Sequence, residues 1–387
     1  MPPRMIVIGA GPIGIAAALE SIHRGYDVTV LEAGEAGDSL LQWGSTRFFS
    51  PFGMNVTRRM RDMLNGSNAL DDALLTGREM VESVLRPIAQ QEPMKSRLRT
   101  HHRVLAIGRR GLTREEYAGH PLRDERPFRL LVDTPEGEQT FESEIVLDAT
   151  GGYRLPKPFG AGGLPARGES RLSHPVLRSL GELESRAPTL RGKRILLVGH
   201  GHSAANAIAV LAHLAEESPS TRITWAVRTA NRRPCEEVAN DPLPERRRVV
   251  VAANDLAQTP PPFLRMERRT MIEAVEERDG SIRVTLSGGR SAEVDAIAAF
   301  TGYRPDGQIL SELAVELSPV TEGGARLQRA LANVTDCLNV PAVNPRDLES
   351  GESNFYFIGS RAYGRARTFL LRTGLQQLET ILEALPR

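Results

Sequence analysis

Apolar and polar positions follow the same order in two separate stretches of the chain. In the first stretch an apolar run at Met5–Ile8 leads into a glycine turn, and apolar residues then recur at helical spacing within Ile13–Arg24. A second short strand at Asp27–Leu31 ends at the acidic Glu32. This order predicts a strand, a helix and a second strand parallel to the first, which is the βαβ unit.

The second stretch repeats this order further along the chain. It predicts a strand at Arg194–Val198, a helix at Ser203–Glu216 and a strand at Arg222–Val227. Ser203 follows a glycine turn and has the side chain that helix N-caps prefer, so we expect it to cap this helix.

Each stretch also closes in a similar way. An apolar strand runs into Thr-Gly and Tyr-Arg, first around Asp148–Tyr153 and again around Thr301–Pro305. The repetition predicts an internal duplication and an α/β fold of two Rossmann-like dinucleotide-binding domains. The pattern further predicts an amphipathic helix at Arg78–Gln91, a strand at Asn354–Ser360 and a helix from Thr368 to Leu385.

The first glycine turn, GAGPIG, has Gly9, Gly11 and Gly14 at the spacing of a dinucleotide fingerprint. The first glycine allows the tight turn, the second lets a pyrophosphate approach the backbone, and the third lets the helix pack on the strand. The helix N-terminus then presents free N–H groups to the phosphates. Glu32 can accept hydrogen bonds from the adenosine ribose. An ordinary glycine turn is the alternative, but strand, helix, spacing and acid together favour a nucleotide site.

The second glycine turn, GHGHSA, keeps Gly199 and Gly201 and has an alanine in third place, which the fingerprint allows. Arg228 stands after the next strand, where an acid would hold a ribose hydroxyl. Because an arginine at this place accommodates a 2′-phosphate, the sequence favours NADP over NAD. Arg232 or Arg233 is an alternative contact, and solvated loop arginines are the structural alternative.

Composition excludes several classes of function. The chain of 387 residues has 49 Lys and Arg against 48 Asp and Glu, so its net charge of +1 attracts neither nucleic acid nor an anionic membrane. Its two cysteines, Cys235 and Cys337, exclude a disulfide scaffold, a CxxC pair and a thiolate zinc cluster. We expect no metal.

The apolar runs are too short for targeting or membrane insertion. Met5–Ile8 is shorter than the apolar core of a signal peptide, and the other runs have the length of strands. We therefore expect a cytoplasmic protein.

Two fingerprints in one chain, each closed by a strand that ends in Thr-Gly, resemble the two-dinucleotide-binding-domain flavoproteins. These include a thioredoxin-reductase-like branch and a branch of flavin-containing and N-hydroxylating monooxygenases. The resemblance covers nearly the whole chain and implies FAD on the first fingerprint and NADPH on the second. It also implies a split FAD domain, at 1–157 and 306–387, around an NADPH domain at 158–305.

The resemblance and the fingerprints together assign site residues. The expected FAD contacts are Gly9, Gly11, Pro12, Gly14, Glu32, Ser39, Trp43, Val104, Thr150, Gly151, Gly359, Ser360 and Thr368. The expected NADP contacts are Gly199, Gly201, His202, Ser203, Ala204, Arg228, Arg232, Thr301 and Gly302. An aromatic-rich segment, residues 41–55, is the candidate substrate pocket, and the alternative is a loop anchored by its aromatic rings. The residues expected to line the pocket are Trp43, Arg47, Phe52 and Asn55. Four further residues could bind an anionic group, and the alternative is that they are solvated side chains: Arg361, Tyr363, Arg365 and Arg367.

The branch is indicated mainly by the cysteines and by one motif. Disulfide reductases need two neighbouring thiols, and Cys235 and Cys337 are far apart in sequence. The stretch Asp295–Tyr303 is similar to the D-x-x-x-L/F-A-T-G-Y closing of N-hydroxylases. The Phe-x-Gly-x-x-x-His fingerprint of flavin monooxygenases is missing, since residues 160–168 read GAGGLPARG.

The resemblance therefore implies an NADPH-dependent FAD monooxygenase that oxygenates a small nitrogen- or sulfur-containing substrate through a flavin 4a-peroxide. No catalytic side chain is expected, because the flavin performs the chemistry. The alternatives are a cysteine-independent flavin reductase that passes electrons to another acceptor, and a nucleotide-binding redox sensor without turnover. The expected partners are the substrate and oxygen, without nucleic acid or membrane, and a homodimer is left open.

Overall fold

A computed structural model describes residues 2–64 and 71–385, which form two compact units. Unit 1 comprises Met1–Leu40, Ser50–Leu155 and Tyr303–Arg387. Unit 2 comprises Leu41–Phe49 and Pro156–Gly302. In sequence, unit 2 is therefore enclosed by parts of unit 1, and the short Leu41–Phe49 segment is separated from the rest of its unit.

The described part of the chain contains both strands and helices. In chain order the strands are β1 (Arg4–Ile8), β2 (Asp27–Leu31), β3 (Leu98–Arg99), β4 (Arg103–Arg109), β5 (Phe128–Thr134), β6 (Gly137–Ser143), β7 (Ile145–Asp148), β8 (Leu155–Pro156), β9 (Val176–Leu177), β10 (Arg194–Val198), β11 (Arg222–Ala226), β12 (Leu264–Glu267), β13 (Ile272–Arg278), β14 (Ser281–Leu286), β15 (Ser291–Val294), β16 (Ala296–Ala299), β17 (Tyr303–Arg304) and β18 (Phe355–Phe357). The α-helices are α1 (Pro12–His23), α2 (Asp38–Leu41), α3 (Arg58–Met63), α4 (Gly77–Met80), α5 (Arg86–Ala89), α6 (Pro121–Asp124), α7 (Leu180–Leu190), α8 (His202–Glu217), α9 (Pro244–Gln258), α10 (Ala325–Ala330), α11 (Ser360–Tyr363) and α12 (Leu371–Ala384).

Unit 1 is built around a parallel sheet in the order β18-β7-β1-β2-β3. Its strands are short apolar runs because a parallel sheet is covered on both faces. The central strand β1 pairs with β2 on one side and β7 on the other. The carboxyl ends of these strands therefore share one edge, which carries the first glycine turn, Glu32 and the Thr150–Gly151 closing. Strands β4, β5 and β6 form a separate antiparallel sheet.

Unit 2 repeats this plan with a parallel sheet in the order β12-β11-β10-β16-β9. Side chains of the central strand alternate between two apolar clusters, so that Ile195 and Leu197 pack with α7, α8 and α9. Leu196 and Val198 pack on the opposite face with the antiparallel sheet β13-β14-β15. The order β7-β1-β2 in unit 1 corresponds to β16-β10-β11 in unit 2. The predicted α/β fold class is confirmed.

The predicted N-cap of α8 is wrong. The N-cap is Gly201, whose extended backbone (φ −86°, ψ −177°) directly precedes a helix that begins at His202. Ser203 is therefore already helical, and no side chain caps this end. An uncapped N-terminus leaves its first N–H groups available to a ligand.

The start of the last helix also differs from the prediction. Helix α12 begins at Leu371, and Thr368 lies three residues before it, outside the helix. The Phe369 ring packs on Tyr363 at 5.3 Å between centroids and lies against Gly374, so this residue folds back onto the helix instead of joining it.

The helix predicted at Arg78–Gln91 spans Gly77–Ala89 and is interrupted by a π-helical turn at Val81–Leu85. Pro87 has no N–H to donate inside a helix, and the wider turn lies directly before it. Among residues 2–64 and 71–385, the structure has no helix with the length and apolar character required to cross a bilayer.

Candidate dinucleotide sites

The first glycine turn has two glycines that packing requires and one that faces open space. Gly9 has φ +101°, and a Cβ there would lie 2.8 Å from the Ala149 carbonyl oxygen. A Cβ on Gly14 would lie 1.9 Å from the Gly9 oxygen, whereas a Cβ on Gly11 would meet no atom within 4 Å. Helix α1 starts directly after Gly11 with Pro12, which has no N–H to lose. The space in front of Gly11 therefore adjoins a helix N-terminus of the kind that binds phosphate.

Glu32 lies beside this turn and is held there by backbone donors. Its carboxylate accepts hydrogen bonds from the Ala10 N–H at 2.7 Å and the Gly34 N–H at 2.9 Å. Its carbonyl oxygen accepts from the His102 N–H, two residues before Val104 in β4. A carboxylate has lone pairs beyond the two in use, so Glu32 can also accept from a ribose hydroxyl.

The segment leading to Ser39 is tied to the same turn. Gly37 donates its N–H to the Ala10 carbonyl oxygen at 3.0 Å. Gly37 has φ +80°, and a Cβ there would lie 2.7 Å from the Val81 side chain. Ser39 follows in α2 with an exposed side chain.

The Thr150 turn is braced by a buried ion pair. Asp148 Oδ1 accepts hydrogen bonds from the Thr150 N–H at 3.0 Å and its hydroxyl at 2.6 Å, while Oδ2 accepts from Arg361 Nε at 3.1 Å. Arg361 also donates to the Glu322 carbonyl oxygen and stacks over the Phe357 ring. Both charged side chains are fully buried. The closing of β7 is therefore fixed by a charge pair rather than left as a mobile loop.

Gly359, which follows the last strand β18, packs against the first helix, α1. Gly359 has φ +63°, and a Cβ there would lie 3.0–3.2 Å from Ile13 of α1. The Ser360 hydroxyl lies 3.5 Å from the position of a Cβ on Gly151. Gly374 of α12 packs against the same Ile13 side chain. These contacts bring the predicted residues Gly151, Gly359 and Ser360 to the sheet edge that carries Gly11.

The residues of unit 1 fit a bound FAD. Gly11 leaves room that a Cβ would fill, α1 offers an uncapped N-terminus, and Glu32 is placed for the ribose. Thr150, Gly151, Gly359 and Ser360 add polar and small groups along the same edge.

The second glycine turn has the same geometry in unit 2. Gly199 has φ +120°, and a Cβ there would lie 2.4 Å from the Phe300 carbonyl oxygen. A Cβ on Gly201 would meet no atom within 4 Å, while Ala204 in third place is buried against the turn. The Trp225 indole N–H donates to the Gly199 carbonyl oxygen at 2.7 Å and so helps to fix the turn. The residues of unit 2 thus also fit a dinucleotide pyrophosphate.

The arginines after β11 separate into two kinds. Arg233 pairs with Glu237 at 2.6 Å and with Asp255 at 2.7 Å, so its charge is already used. Arg228 and Arg232 are exposed, and their guanidinium groups have no carboxylate partner among the described residues. This difference favours Arg228 and Arg232 over Arg233 for a 2′-phosphate.

The second closing turn is held by Lys157. Its carbonyl oxygen accepts from the Thr301 hydroxyl at 2.7 Å, and its N–H donates to the Gly302 carbonyl oxygen at 2.8 Å. Gly302 has φ +86°. The Thr301 hydroxyl is thus engaged with the backbone, as the Thr150 hydroxyl is with Asp148.

The four residues expected to line a substrate pocket are divided between the units. Trp43 and Arg47 belong to unit 2, and Phe52 and Asn55 to unit 1. Phe52 and Asn55 are buried, and the Asn55 amide is engaged with Ser50 through its oxygen at 2.7 Å and its nitrogen at 3.0 Å.

The residues after the last glycine strand are mostly structural. Tyr363 is buried and accepts a hydrogen bond from the Gln377 amide, and burial raises the pKa of its phenol to about 12. Arg365 pairs with Glu322 at 2.8 Å. Arg367 is exposed. A role for the exposed Arg367 in binding an anionic ligand stays a prediction.

Sequence reasoning missed the support of both turns. Arg361, predicted to bind an anionic group or else to be solvated, is instead buried in an ion pair with Asp148. Asp148 gave a usable signal, since an acid at the end of a buried apolar strand needs a partner. Neither Trp225 nor Lys157 belongs to a motif that marks its role.

Cys235 and Cys337 are not joined in a disulfide bond. Cys235 is buried in unit 2, where its backbone N–H and carbonyl oxygen bond to the Asn254 amide. Burial raises the pKa of its thiol to about 12. Cys337 belongs to unit 1. The described residues include no group of three or more His, Cys, Asp or Glu side chains suited to a metal ion.

Comparisons with known proteins agree with this architecture. Residues 6–105 match the family model for pyridine nucleotide-disulphide oxidoreductases. No curated protein matches the sequence.

Solved structures of this fold include both reductases and oxygenases. A bacillithiol disulfide reductase from Bacillus cereus has a TM-score of 0.68 at 16% identity, over 99% of this chain and 98% of that one. An FAD-bound cadaverine monooxygenase from Erwinia amylovora has a TM-score of 0.67 at 14% identity, over 99% and 94%. An ornithine N-hydroxylase from Kutzneria sp. 744, with reduced FAD, NADP+ and L-ornithine, has a TM-score of 0.62 at 16% identity, over 99% of both chains.

These comparisons confirm the predicted resemblance to the two-dinucleotide-binding-domain flavoproteins. They also agree with the prediction of FAD and NADPH, because structures with each nucleotide share the fold. The fold is therefore one that disulfide reductases and monooxygenases have in common.

Proposed function

We propose that this protein is an NADPH-dependent FAD monooxygenase acting on a nitrogen or sulfur atom of a small molecule. The observation that carries the choice of oxygen as electron acceptor is the state of the two cysteines. Thiol–disulfide exchange requires a thiolate, and the Cys235 thiol is buried with its pKa raised to about 12. A redox dithiol needs two reactive cysteines, and the chain has only Cys337 besides the buried Cys235.

The residues of unit 1 would hold FAD. The N-terminus of α1 would face the pyrophosphate across Gly11, and Glu32 would accept from the ribose. When bound, the flavin supplies the hydride-accepting and oxygen-activating chemistry. The chain's own contribution is to fix the cofactor, which the Asp148–Arg361 pair supports by holding the Thr150 turn.

The residues of unit 2 would hold NADPH. The N-terminus of α8 would bind the pyrophosphate across Gly201, and Arg228 or Arg232 would bind the 2′-phosphate. The Asp295–Tyr303 motif, similar to the closing of N-hydroxylases, also favours oxygenation, although Asp295 itself has a structural role. It accepts hydrogen bonds from the Arg194 guanidinium at 2.7 and 3.2 Å and so anchors β16 beside β10.

A cysteine-independent reductase is the second candidate, favoured by the likeness to the Bacillus cereus disulfide reductase. The two functions are separated by mixing NADPH-reduced, FAD-loaded protein with oxygen in a stopped-flow spectrometer. A monooxygenase gives a long-lived species that absorbs in the near ultraviolet before the oxidised flavin spectrum returns. Direct return of the oxidised spectrum, or release of one hydrogen peroxide per NADPH with every amine and thioether tested, would refute oxygenation. Failure of NADPH to reduce the flavin would refute both functions and favour the third hypothesis, a nucleotide-binding redox sensor without turnover.

Arg228→Ala is expected to raise the KM for NADPH about ten- to hundredfold and to leave the KM for NADH unchanged. The reason is that hydrogen bonds between charged groups contribute about 1.5–3 kcal/mol, and NADH lacks the 2′-phosphate. Arg233→Ala is the matched control, since Arg233 is already paired with Glu237 and Asp255. An equal rise of the KM for NADPH and for NADH in Arg228→Ala would show that Arg228 does not bind the 2′-phosphate.

The native protein is expected to show at most one thiol to a disulfide reagent at neutral pH, and two after unfolding. Cys235 stays protonated and buried in the native state. The variant Cys235→Ala/Cys337→Ala is expected to keep the NADPH-dependent turnover of the parent. Loss of turnover in this variant, with FAD content and thermal stability preserved, would instead indicate a disulfide reductase that uses these cysteines.

A further inference from the structure

The segment Leu41–Phe49, called here the aromatic loop, is part of unit 2 although it lies between two segments of unit 1 in sequence. From the sequence alone, this loop is part of the candidate substrate pocket at residues 41–55. Its contacts within unit 2 indicate a different ligand.

The aromatic loop is fastened to the first turns of α7. The Gly181 N–H, unpaired within the helix because it lies in the first turn, donates to the Gln42 carbonyl oxygen at 3.0 Å. The Glu184 carboxylate accepts from the Ser45 N–H at 3.0 Å and from the Ser45 hydroxyl. These bonds join backbone and side chain of the loop to one face of α7.

Two glycines allow this close approach. Gly44 has φ +58°, and a Cβ there would lie 2.5 Å from the Glu184 carboxylate and 2.9 Å from the Gly181 nitrogen. A Cβ on Gly181 would lie 3.0 Å from the Leu41 carbonyl oxygen. The loop therefore has one well-defined position on α7, and a side chain at residue 44 would displace it.

From this position the loop reaches the second glycine turn. The Phe49 ring meets the His202 imidazole edge to face at 5.1 Å between centroids. His202 is the first residue of α8, directly after Gly201. At the other end of the loop, Trp43 packs on Phe48 at 4.9 Å. The loop thus lies next to the helix N-terminus that the proposed function assigns to the NADPH pyrophosphate.

We infer that the aromatic loop forms one side of the NADPH site in unit 2, and that Glu184 is a positioning residue that holds it there. This inference rests on the proposed binding of NADPH at the second fingerprint. The ligand class is a phosphorylated pyridine dinucleotide. The loop itself contacts His202 through the Phe49 ring.

The test is the dissociation constant for NADP+, measured by titration calorimetry on FAD-loaded protein. Gly44→Ala and Glu184→Ala are each expected to weaken NADP+ binding about fivefold to thirtyfold, because the loop loses its fixed position. FAD content should remain that of the parent. Glu184→Gln keeps an acceptor for Ser45 and is expected to recover most of the affinity.

Gly162→Ala is the matched control, since Gly162 has φ +68° but a Cβ there would meet no atom within 4 Å. This substitution imposes a similar strain on a backbone with positive φ but displaces no loop. The Gly162→Ala protein should therefore bind NADP+ with the affinity of the parent. Parent affinity in Gly44→Ala and Glu184→Ala, or loss of FAD with NADP+ affinity unchanged, would overturn the inference. Failure of the parent itself to bind NADP+ would instead refute the proposed function.

Discussion

Gly11→Val is expected to abolish FAD retention while the protein still folds. The backbone at Gly11 (φ −75°, ψ −176°) is one that any residue adopts, and a Cβ there would meet no protein atom within 4 Å. The valine side chain would instead fill the space in which the pyrophosphate must approach the N-terminus of α1. A loss of about 4 kcal/mol corresponds to roughly a thousandfold weaker binding. The measurement is flavin absorbance per polypeptide after gel filtration, with thermal unfolding of the apo forms compared.

Gly201→Val is the matched variant in unit 2. Gly201 has φ −86° and ψ −177°, and it also faces open space. This variant is expected to keep FAD and to lose NADP+ binding. Retention of FAD by Gly11→Val, or loss of FAD from Gly201→Val, would contradict the assignment of one nucleotide to each fingerprint.

Arg361→Met is expected to lower the free energy of unfolding by about 3–5 kcal/mol. Arg361 and Asp148 are both fully buried, with Nε and Oδ2 at 3.1 Å. Removing the guanidinium leaves the Asp148 carboxylate buried without its countercharge. Because such a loss is a large part of the total stability of a typical protein, urea unfolding will detect it readily.

The double variant Asp148→Asn/Arg361→Met provides the control. An asparagine at position 148 removes the buried charge and keeps an oxygen that accepts from the Thr150 N–H. We expect the double variant to be more stable than Arg361→Met alone, because neither charge is then left unpaired. A double variant no more stable than the single one, or an Arg361→Met protein as stable as the parent, would show that the pair does not brace the turn.

The fold and the core of each nucleotide site followed from local patterns. Gly9, Gly11 and Gly14 have fixed spacing within one βαβ unit, and the same is true of Gly199 and Gly201. These positions depend on contacts between residues that are close in sequence or paired across adjacent strands. The sequence therefore contained enough information to predict them.

The features that sequence reasoning did not find depend on distant partners. Arg361 resembled a surface arginine in an arginine-rich stretch, and its burial is explained only by Asp148, 213 residues away. The position of the aromatic loop depends on Glu184, 139 residues from Ser45. No periodicity or motif links such pairs, because each is created by the packing of elements that are remote in the chain.

If the proposed function holds, this chain binds FAD and NADPH together and passes hydride from NADPH to the flavin. The direct measurement is anaerobic mixing of FAD-loaded protein with NADPH or NADH, followed by the visible flavin absorbance. We predict that NADPH bleaches the flavin, that NADH does so only at much higher concentration, and that the cysteine-free variant behaves as the parent. A flavin that NADPH leaves oxidised, or a bleaching that requires the cysteines, would contradict hydride transfer from NADPH to FAD without a thiol.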